Sequence, residues 1–451
     1  MDCRRAVALL VLSLPLAGCG RAAPLRIAVI GDFGRDGATE AGVAELVHSL
    51  HPDLVATVGD NNYPDGAADT IDRNIGKYYA DYIAPYHGSF GKGARENRFF
   101  PSLGNHDWRT ADAQPYLDYF ELPGNERYYD LARGDVHLFF LDSDPHEPDG
   151  ITRDSAQARW LHDALGRATE RHRWVLFHHP PFSSGPHGSN PELEWPFRAW
   201  GATAVFCGHD HLYERLARQG MTFVTVGAGG ASLYQFAQPV EGSAVRIAGK
   251  YGALRLDVAG DRADAQFAAP GDAILDEFSL APASALPVPV SLLEPGSSWR
   301  VLDGMAPRDG WQKPGFDTVP WAPAATPLRI FDRGAAAGAP ERTTSYRSEF
   351  QLPPGRDADP LELGLPRDQE AVAWLNGREV ARVDPASVKN WLVPRGPRSS
   401  ASEPILVFRA IPPGALVPGA NVLAVQVRRV PDQVADPSFD AELWVYPRAP
   451  L

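Results

Sequence analysis

Cysteine is nearly absent from this chain of 451 residues, which holds only Cys3, Cys19 and Cys207. So few thiols exclude a disulfide framework, and the fold must rest on packing or on bound metal. No apolar run of bilayer-spanning length stands out either. The stretch Ala6 to Leu16 is too short for a transmembrane helix. Basic residues are outnumbered, 43 Lys and Arg against 56 Asp and Glu, for a formal charge of -13. Such a balance excludes a nucleic-acid partner, whose phosphate backbone calls for a basic surface, though it leaves room for a local basic patch.

What is present points to an exported protein of more than one domain. A 44% hydrophobic content with 22% charged residues is that of a soluble globular chain, and the length exceeds one ordinary core. Asp2-Cys3-Arg4-Arg5, the short apolar stretch and Leu16-Ala17-Gly18-Cys19 together resemble a bacterial lipoprotein signal. That resemblance implies a signal peptide over 1–18, a lipid on Cys19 and a tether over 19–24. The protein would then sit on a membrane face of the envelope, with Cys207 as its one free thiol. An ordinary secretory signal with an incidental cysteine is the alternative.

Polar groups recur at the ends of short apolar segments. Arg26 to Ile30 reads as a strand running into Gly31-Asp32-Phe33-Gly34, and Ala38 to Leu50 carries Val43, Leu46, Val47 and Leu50 at helical spacing. Leu54 to Val58 ends in Gly59-Asp60-Asn61-Asn62-Tyr63, and Phe99 to Leu103 in Gly104-Asn105-His106-Asp107. Val136 to Leu141 leads to Asp142-Ser143-Asp144, and Ser155 to Arg171 reads as an amphipathic helix. Trp174 to Phe177 exits into His178-His179-Pro180-Pro181, and Ala204 to Cys207 into Gly208-His209-Asp210-His211. Strands around Thr222 to Val226 and Tyr251 to Val258 follow. Alternating strands and helices with ligand-type residues at successive strand exits predict an α/β fold with one polar edge. Each exit alone is an ordinary turn or cap. Five in one order are a constellation, and its imidazoles and carboxylates are metal-ligand types. Cys207 and the aromatic group Trp108, Tyr116, Tyr119 and Phe120 read as packing residues.

The order of these segments resembles the calcineurin-like metallophosphoesterases, and most closely the purple acid phosphatases. The resemblance covers residues 25–280 and implies an α/β/β/α sandwich. Most superfamily members carry Asp-x-His in the first motif, whereas position 34 here is Gly. Purple acid phosphatases also lack that histidine and supply a tyrosine three residues after the second Asp, where Tyr63 stands. By this resemblance Asp32, Tyr63 and His211 would hold one metal, with iron(III) suited to their hard anionic donors, and Asp60 would bridge. Asn105, His178 and His209 would hold a divalent Fe, Zn or Mn. The family form favours His178, and the sequence leaves His179 open. His106 would contact the substrate phosphate and His187 stand near the leaving group. The implied activity is hydrolysis of phosphate monoesters by a metal-bridged hydroxide at neutral to acidic pH. A phosphodiesterase on the same core, or a surface glycan-binding protein without catalysis, are the alternatives.

Ala281 to Pro289 is a linker by composition, and 281–290 separates a second domain over 291–451. Helical periodicity stops there. Tyr346 to Leu352 alternates, and Ala371 to Leu375 and Glu379 to Val383 flank Asn376-Gly377, a strong hairpin signal. With Val422 to Val427 and Ala441 to Tyr446 this predicts an antiparallel β-sandwich. Trp299, Gly315-Phe316-Asp317, Trp321 and Trp374-Leu375-Asn376-Gly377 resemble the galactose-binding-like jelly-roll domains of bacterial secreted enzymes. That resemblance implies carbohydrate as a ligand, with a structural or spacing role as the alternative.

Overall fold

The computed structural model describes residues 24–271, 273–329, 343–387, 405–412, 414–428 and 438–447. The expected signal peptide over 1–18 and Cys19 lie outside them. Among the described residues no helix is long and apolar enough to cross a membrane.

Two mixed sheets face each other at the centre of the first domain. One orders its strands β13 (Ala273–Leu280), β12 (Arg262–Ala269), β11 (Ala253–Ala259), β1 (Leu25–Ile30), β2 (Leu54–Thr57) and β3 (Phe99–Pro101). The other runs β10 (Ser243–Ile247), β8 (Tyr213–Arg218), β9 (Met221–Val226), β7 (Ala204–Cys207), β6 (His172–Leu176), β5 (Val136–Phe140) and β4 (Tyr129–Arg133). β1, β2 and β3 are parallel neighbours, as are β5, β6, β7 and β9. Their carboxyl ends therefore share an edge. Parallel strands covered on both faces need apolar residues at every position, and β2 and β7 are buried throughout.

Between the sheets lies a core that includes Ile27, Val29, Phe140, Trp174, Phe206 and Phe267. Outside the first sheet the Ala38–Leu50 helix buries Val43, Leu46 and Val47. Outside the second, the Ala156–Arg167 helix buries Ala158, Leu161, Ala164 and Leu165. The result is the expected α/β/β/α sandwich. Trp108, Tyr116 and Phe120 are core residues, as is the thiol of Cys207. The second helix is shorter than the Ser155 to Arg171 pattern. Ser155 is its cap, accepting Ala158 N–H at 3.1 Å through its hydroxyl, and the helix stops at Arg167. Its apolar face ends at Leu165, and the chain must extend through Ala168 to enter β6 at His172.

The second domain is a sandwich of antiparallel sheets. One contains Val290–Leu293, Glu442–Val445, Leu361–Pro366 and Leu406–Ile411, and the other centres on Thr343–Leu352, Gly419–Arg428 and Glu370–Leu375. Asn376 and Gly377 both take positive φ, 53° and 88°, as a two-residue hairpin between antiparallel strands requires. The domains meet over buried ion pairs. Arg218 Nε donates to Glu362 Oε1 at 2.8 Å, Arg367 pairs with Glu192, and Phe408 N–H donates to Glu194 Oε2 at 2.7 Å.

Glu362 is 3% exposed, and it also accepts Gln219 N–H at 3.0 Å. Glu362→Ala leaves the Arg218 charge buried without its carboxylate and lowers unfolding stability by about 3 kcal/mol. Denaturant unfolding of both proteins checks this, and Arg218→Met in the same background recovers part of the loss.

Candidate metal centre

Five of the predicted strand exits converge at the edge shared by the two sheets. Asp32 follows β1, Asp60 and Tyr63 follow β2, Asn105 and His106 follow β3, His178 follows β6, and His209 and His211 follow β7. Asp32, Asp60 and His209 take left-handed backbone, with φ of 55°, 54° and 69°. Non-glycine residues rarely adopt it, and such conformations persist only where surroundings over-determine them. The surroundings here are glycines. A Cβ on Gly104 would lie 2.2 Å from Asp60 N, and one on Gly208 would lie 2.5 Å from Asp32 Oδ2.

Gly34 explains the coupled change in the first two motifs. Its carbonyl accepts Tyr63 N–H at 2.7 Å, and a Cβ there would fall 1.7 Å from Asn61 O. No side chain fits at position 34 while the Asn61–Tyr63 turn is in place. That turn carries the Tyr63 hydroxyl into the centre. The backbone of that turn, at Asn61 and Asn62, excludes a histidine at position 34 sterically.

The donor atoms form two adjoining groups. Tyr63 Oη lies 3.4 Å from Asp32 Oδ1, 2.9 Å from Asp60 Oδ2 and 3.1 Å from His211 Nε2. Asn105 Oδ1 lies 3.1 Å from both His178 Nε2 and His209 Nδ1, which are 3.2 Å apart. Asp60 spans the two, since its Oδ1 is 3.5 Å from His178 Nε2. Metal–ligand bonds of about 2.1 Å place neighbouring ligands about 3.0–3.4 Å apart, so the separations are those of two coordination shells sharing a carboxylate. Asp32, Asp60 and His178 offer atoms within 4.8 Å of one another, as do His178, His179 and His209.

Charge makes the same demand. Asp32 and Asp60 are buried, and among the described residues neither has Lys or Arg at ion-pair distance. Burial first, then Asp60 and Asp32, push the Tyr63 phenol well above its ordinary pKa. Burial acts to lower His178, yet Asp60 and Asp32 lift it above the usual imidazole range. Burial likewise acts to lower His211, and the Asp32 bond and charge, the Ser232 carbonyl and Asp60 together raise it. Three acidic oxygens packed together in a buried site need cations to compensate them. The residues present fit a pair of metal ions.

Further groups hold the donors in place. His178 Nδ1 donates to Val58 O at 2.9 Å and His211 Nδ1 to Ser232 O at 2.7 Å, which leaves each Nε2 as the free ligand atom. His211 also stacks on Tyr234, with ring centroids 4.2 Å apart. Asp107 accepts Asn61 and Gly104 N–H groups beneath Asp60, and burial with the Asp60 charge raises its pKa to about 7. His106 packs its ring on Tyr63 and donates Nδ1–H to Pro64 O, so Nε2 faces the site, 3.9 Å from Asp60 Oδ2. His187 lies over His209 at 4.3 Å between centroids and donates Nδ1–H to Asp210 at 2.9 Å. Asp107 and Asp210 were within reach of sequence reasoning, because they sit inside the motifs. Ser232 and Tyr234 carried no such signal. Asp142 accepts Trp108 Nε1–H and Gln157 holds its backbone, so that strand end is structural.

His178 belongs to both groups, whereas His179 holds Ser143 through Nδ1 and meets only the second. His178→Asn therefore lowers bound metal from about two ions per chain to one or none, and His179→Asn retains most of it. Elemental analysis after gel filtration decides between them.

The chain is similar to known proteins. The family model for calcineurin-like phosphoesterases matches residues 25–213. Over 263 residues the chain is 26% identical to human (Homo sapiens) tartrate-resistant acid phosphatase type 5, covering 49% of this chain and 79% of that protein. It is 26% identical over 246 residues to purple acid phosphatase 15 of Arabidopsis thaliana, covering 46% and 45%. A solved purple acid phosphatase from yellow lupin (Lupinus luteus) seeds covers 58% of this chain and 54% of its own, at 18% identity and a TM-score of 0.48.

Proposed function

We propose that this chain, a hydrolase of the metallophosphoesterase type related to the purple acid phosphatases, cleaves phosphate monoesters in the bacterial envelope. The observation that carries the reading is the pair of donor groups joined through Asp60, with Tyr63 in the first. Asp32, Tyr63 and His211 would hold iron(III), and Asn105, His178 and His209 a divalent Fe, Zn or Mn. Bound there, two metal ions would supply Lewis acidity toward a phosphoryl oxygen and would lower the pKa of water for attack.

The protein's own residues set orientation and protons. Val58 and Ser232 carbonyls fix the His178 and His211 tautomers, so both present a neutral Nε2 to the centre. His106 commits Nδ1–H to Pro64 O, and its Nε2 can therefore donate to a phosphate oxygen only as imidazolium. Burial holds its pKa below the usual range, with Asp60 opposing. That donor is lost as pH rises through the acidic range below the ordinary imidazole pKa, and activity should favour the acid side. His187, oriented by Asp210, faces the departing oxygen as its proton donor. A lipid on Cys19 would keep the enzyme at a membrane face, with the C-terminal domain as spacer or carbohydrate contact.

The test is turnover on an aryl phosphate monoester and the matching diester across acidic and neutral pH, with the visible spectrum recorded on the same protein. Monoester preference with a tyrosinate–iron(III) band supports the proposal, and diester preference moves it to a phosphodiesterase. Absence of both turnover and bound metal leaves a glycan-binding module. Tyr63→Phe abolishes the visible band. Asp60→Ala and Asn105→Ala each lower kcat/KM by roughly a hundredfold or more, since even outer-shell partners of metal ligands are worth about 10–100-fold.

His106→Asn flattens the alkaline fall in kcat/KM while leaving bound metal intact. A profile that keeps its alkaline limb in that variant assigns the titration to another group.

A further inference from the structure

One exposed guanidinium stands at the rim of the metal centre. It belongs to Arg35, directly after Gly34 in the loop that leaves β1. Arg35 Nη1 donates to Ser232 Oγ at 2.9 Å, and the carbonyl of the same serine accepts His211 Nδ1–H at 2.7 Å. One residue therefore joins the arginine to a predicted metal ligand. Tyr234 continues the rim, stacking on His211 at 4.2 Å between centroids and meeting His187 edge-on at 5.4 Å. His187 thus touches Tyr234, Tyr234 and Ser232 both hold His211, and Ser232 holds Arg35. All four rim residues are half-buried or exposed.

Backbone bonds fix this rim in place. Gly229 N–H donates to Gly31 O and Ala231 N–H to Asp32 O, both at 2.9 Å, and Tyr234 N–H donates to His211 O at 2.9 Å. The loop after β9 is thereby laced to the exits of β1 and β7, which carry Asp32 and His211. Side chains on such a pre-ordered frame bind with a smaller entropy cost. Two hydrogen bonds, one serine and one imidazole separate Arg35 Nη1 from His211 Nε2, at most about 12 Å at standard bond lengths. An aryl ester with a short acid arm covers that reach.

The charge of Arg35 is uncompensated. Among the described residues no carboxylate lies at ion-pair distance from its guanidinium. Asp36 is held by Lys77 Nζ at 2.6 Å and by the Tyr78 hydroxyl at 2.7 Å. Glu40 accepts the Arg35 backbone N–H at 3.0 Å, and burial raises its pKa to about 9, so it is neutral at working pH. Asp32 is fully buried and turned toward Tyr63 and His211. A guanidinium carries five N–H donors in a planar fork, and Ser232 takes one of this set. The remainder suit an oxyanion, which such a fork binds through two parallel hydrogen bonds.

From these contacts we infer that Arg35 is a specificity residue for the alcohol part of the ester, pairing with a second anionic group there, while Tyr234 lines the stretch between that group and the phosphorus. The favoured substrate class is therefore a phosphate monoester whose alcohol or phenol is itself anionic. An ester with its departing oxygen at His187 meets Tyr234 next, because the two rings touch. The inference rests on the phosphomonoesterase reading for its kinetics but not for its binding.

The matched probes are 4-(carboxymethyl)phenyl phosphate and its carboxamide, assayed with the metal-loaded full chain. The wild-type protein favours the carboxylate ester by about fivefold in kcat/KM, the upper range for one exposed ion pair, and added salt narrows the ratio. Arg35→Gln removes the preference, chiefly through KM, and Arg35→Lys restores part of it. Ser232→Ala, which keeps the carbonyl on His211 but frees the guanidinium, lowers the ratio with bound metal retained. Each ratio is taken within one preparation, so a loss of folded or metal-loaded protein cancels. No preference in the wild type, a preference that survives Arg35→Gln, or an equal loss on both esters overturns the inference. Should methyl diesters be preferred, the same ratio is read on them. Should no ester be turned over, the phosphatase reading fails, and the subsite is judged by calorimetric binding of the two matching benzylphosphonates. Tighter binding of the carboxylate by the wild type that Arg35→Gln abolishes sustains the subsite. Equal binding or none overturns it.

Discussion

Acidic oxygens buried without a basic residue are the constraint on which the first domain depends. Asp32, Asp60 and the Tyr63 phenol meet at the carboxyl edge of two sheets with only imidazoles and an amide around them. Burial and the two carboxylates oppose ionisation of the Tyr63 phenol. Multivalent cations satisfy the cluster, and Lys or Arg would have displaced them. The strands, the glycines and the carbonyl anchors of the histidines all serve to keep those oxygens together.

Glycine does much of that work through absence. At Gly34, Gly104 and Gly208 a single added carbon would strike the Asn61 carbonyl, the Asp60 backbone or the Asp32 carboxylate. The strained φ of Asp32, Asp60 and His209 follows from the need to turn each donor back toward a common point. The exchange of a histidine for a tyrosine between the first and second motifs is the same physics, because one turn occupies the space that the other side chain would need.

The second domain is joined to the first by groups that are costly to separate. Arg218, Glu362, Arg367, Glu192 and Glu194 are all buried, and each charge or amide is answered from the other domain. Breaking such a pair leaves a stranded charge, which keeps the β-sandwich strand Leu406–Ile411 fixed against the loop that carries His187.

The sequence alone determined the strand–exit pattern, the metal-ligand types at five exits, the Asn376-Gly377 hairpin and the change from α/β to all-β near residue 281. These signals are local, set by periodicity and by the few residues that make tight turns. Element ends were less legible: the Ala156–Arg167 helix stops short of its pattern because β6 must begin at His172. Only the tertiary structure decided the rest. It turned His178 Nε2 to both donor groups while His179 went to Ser143, which no spacing distinguishes between adjacent histidines. It brought Ser232 and Tyr234 to His211 and Arg35 to Ser232. Those contacts join residues with no shared local pattern, and sheet pairing and domain docking alone bring them together.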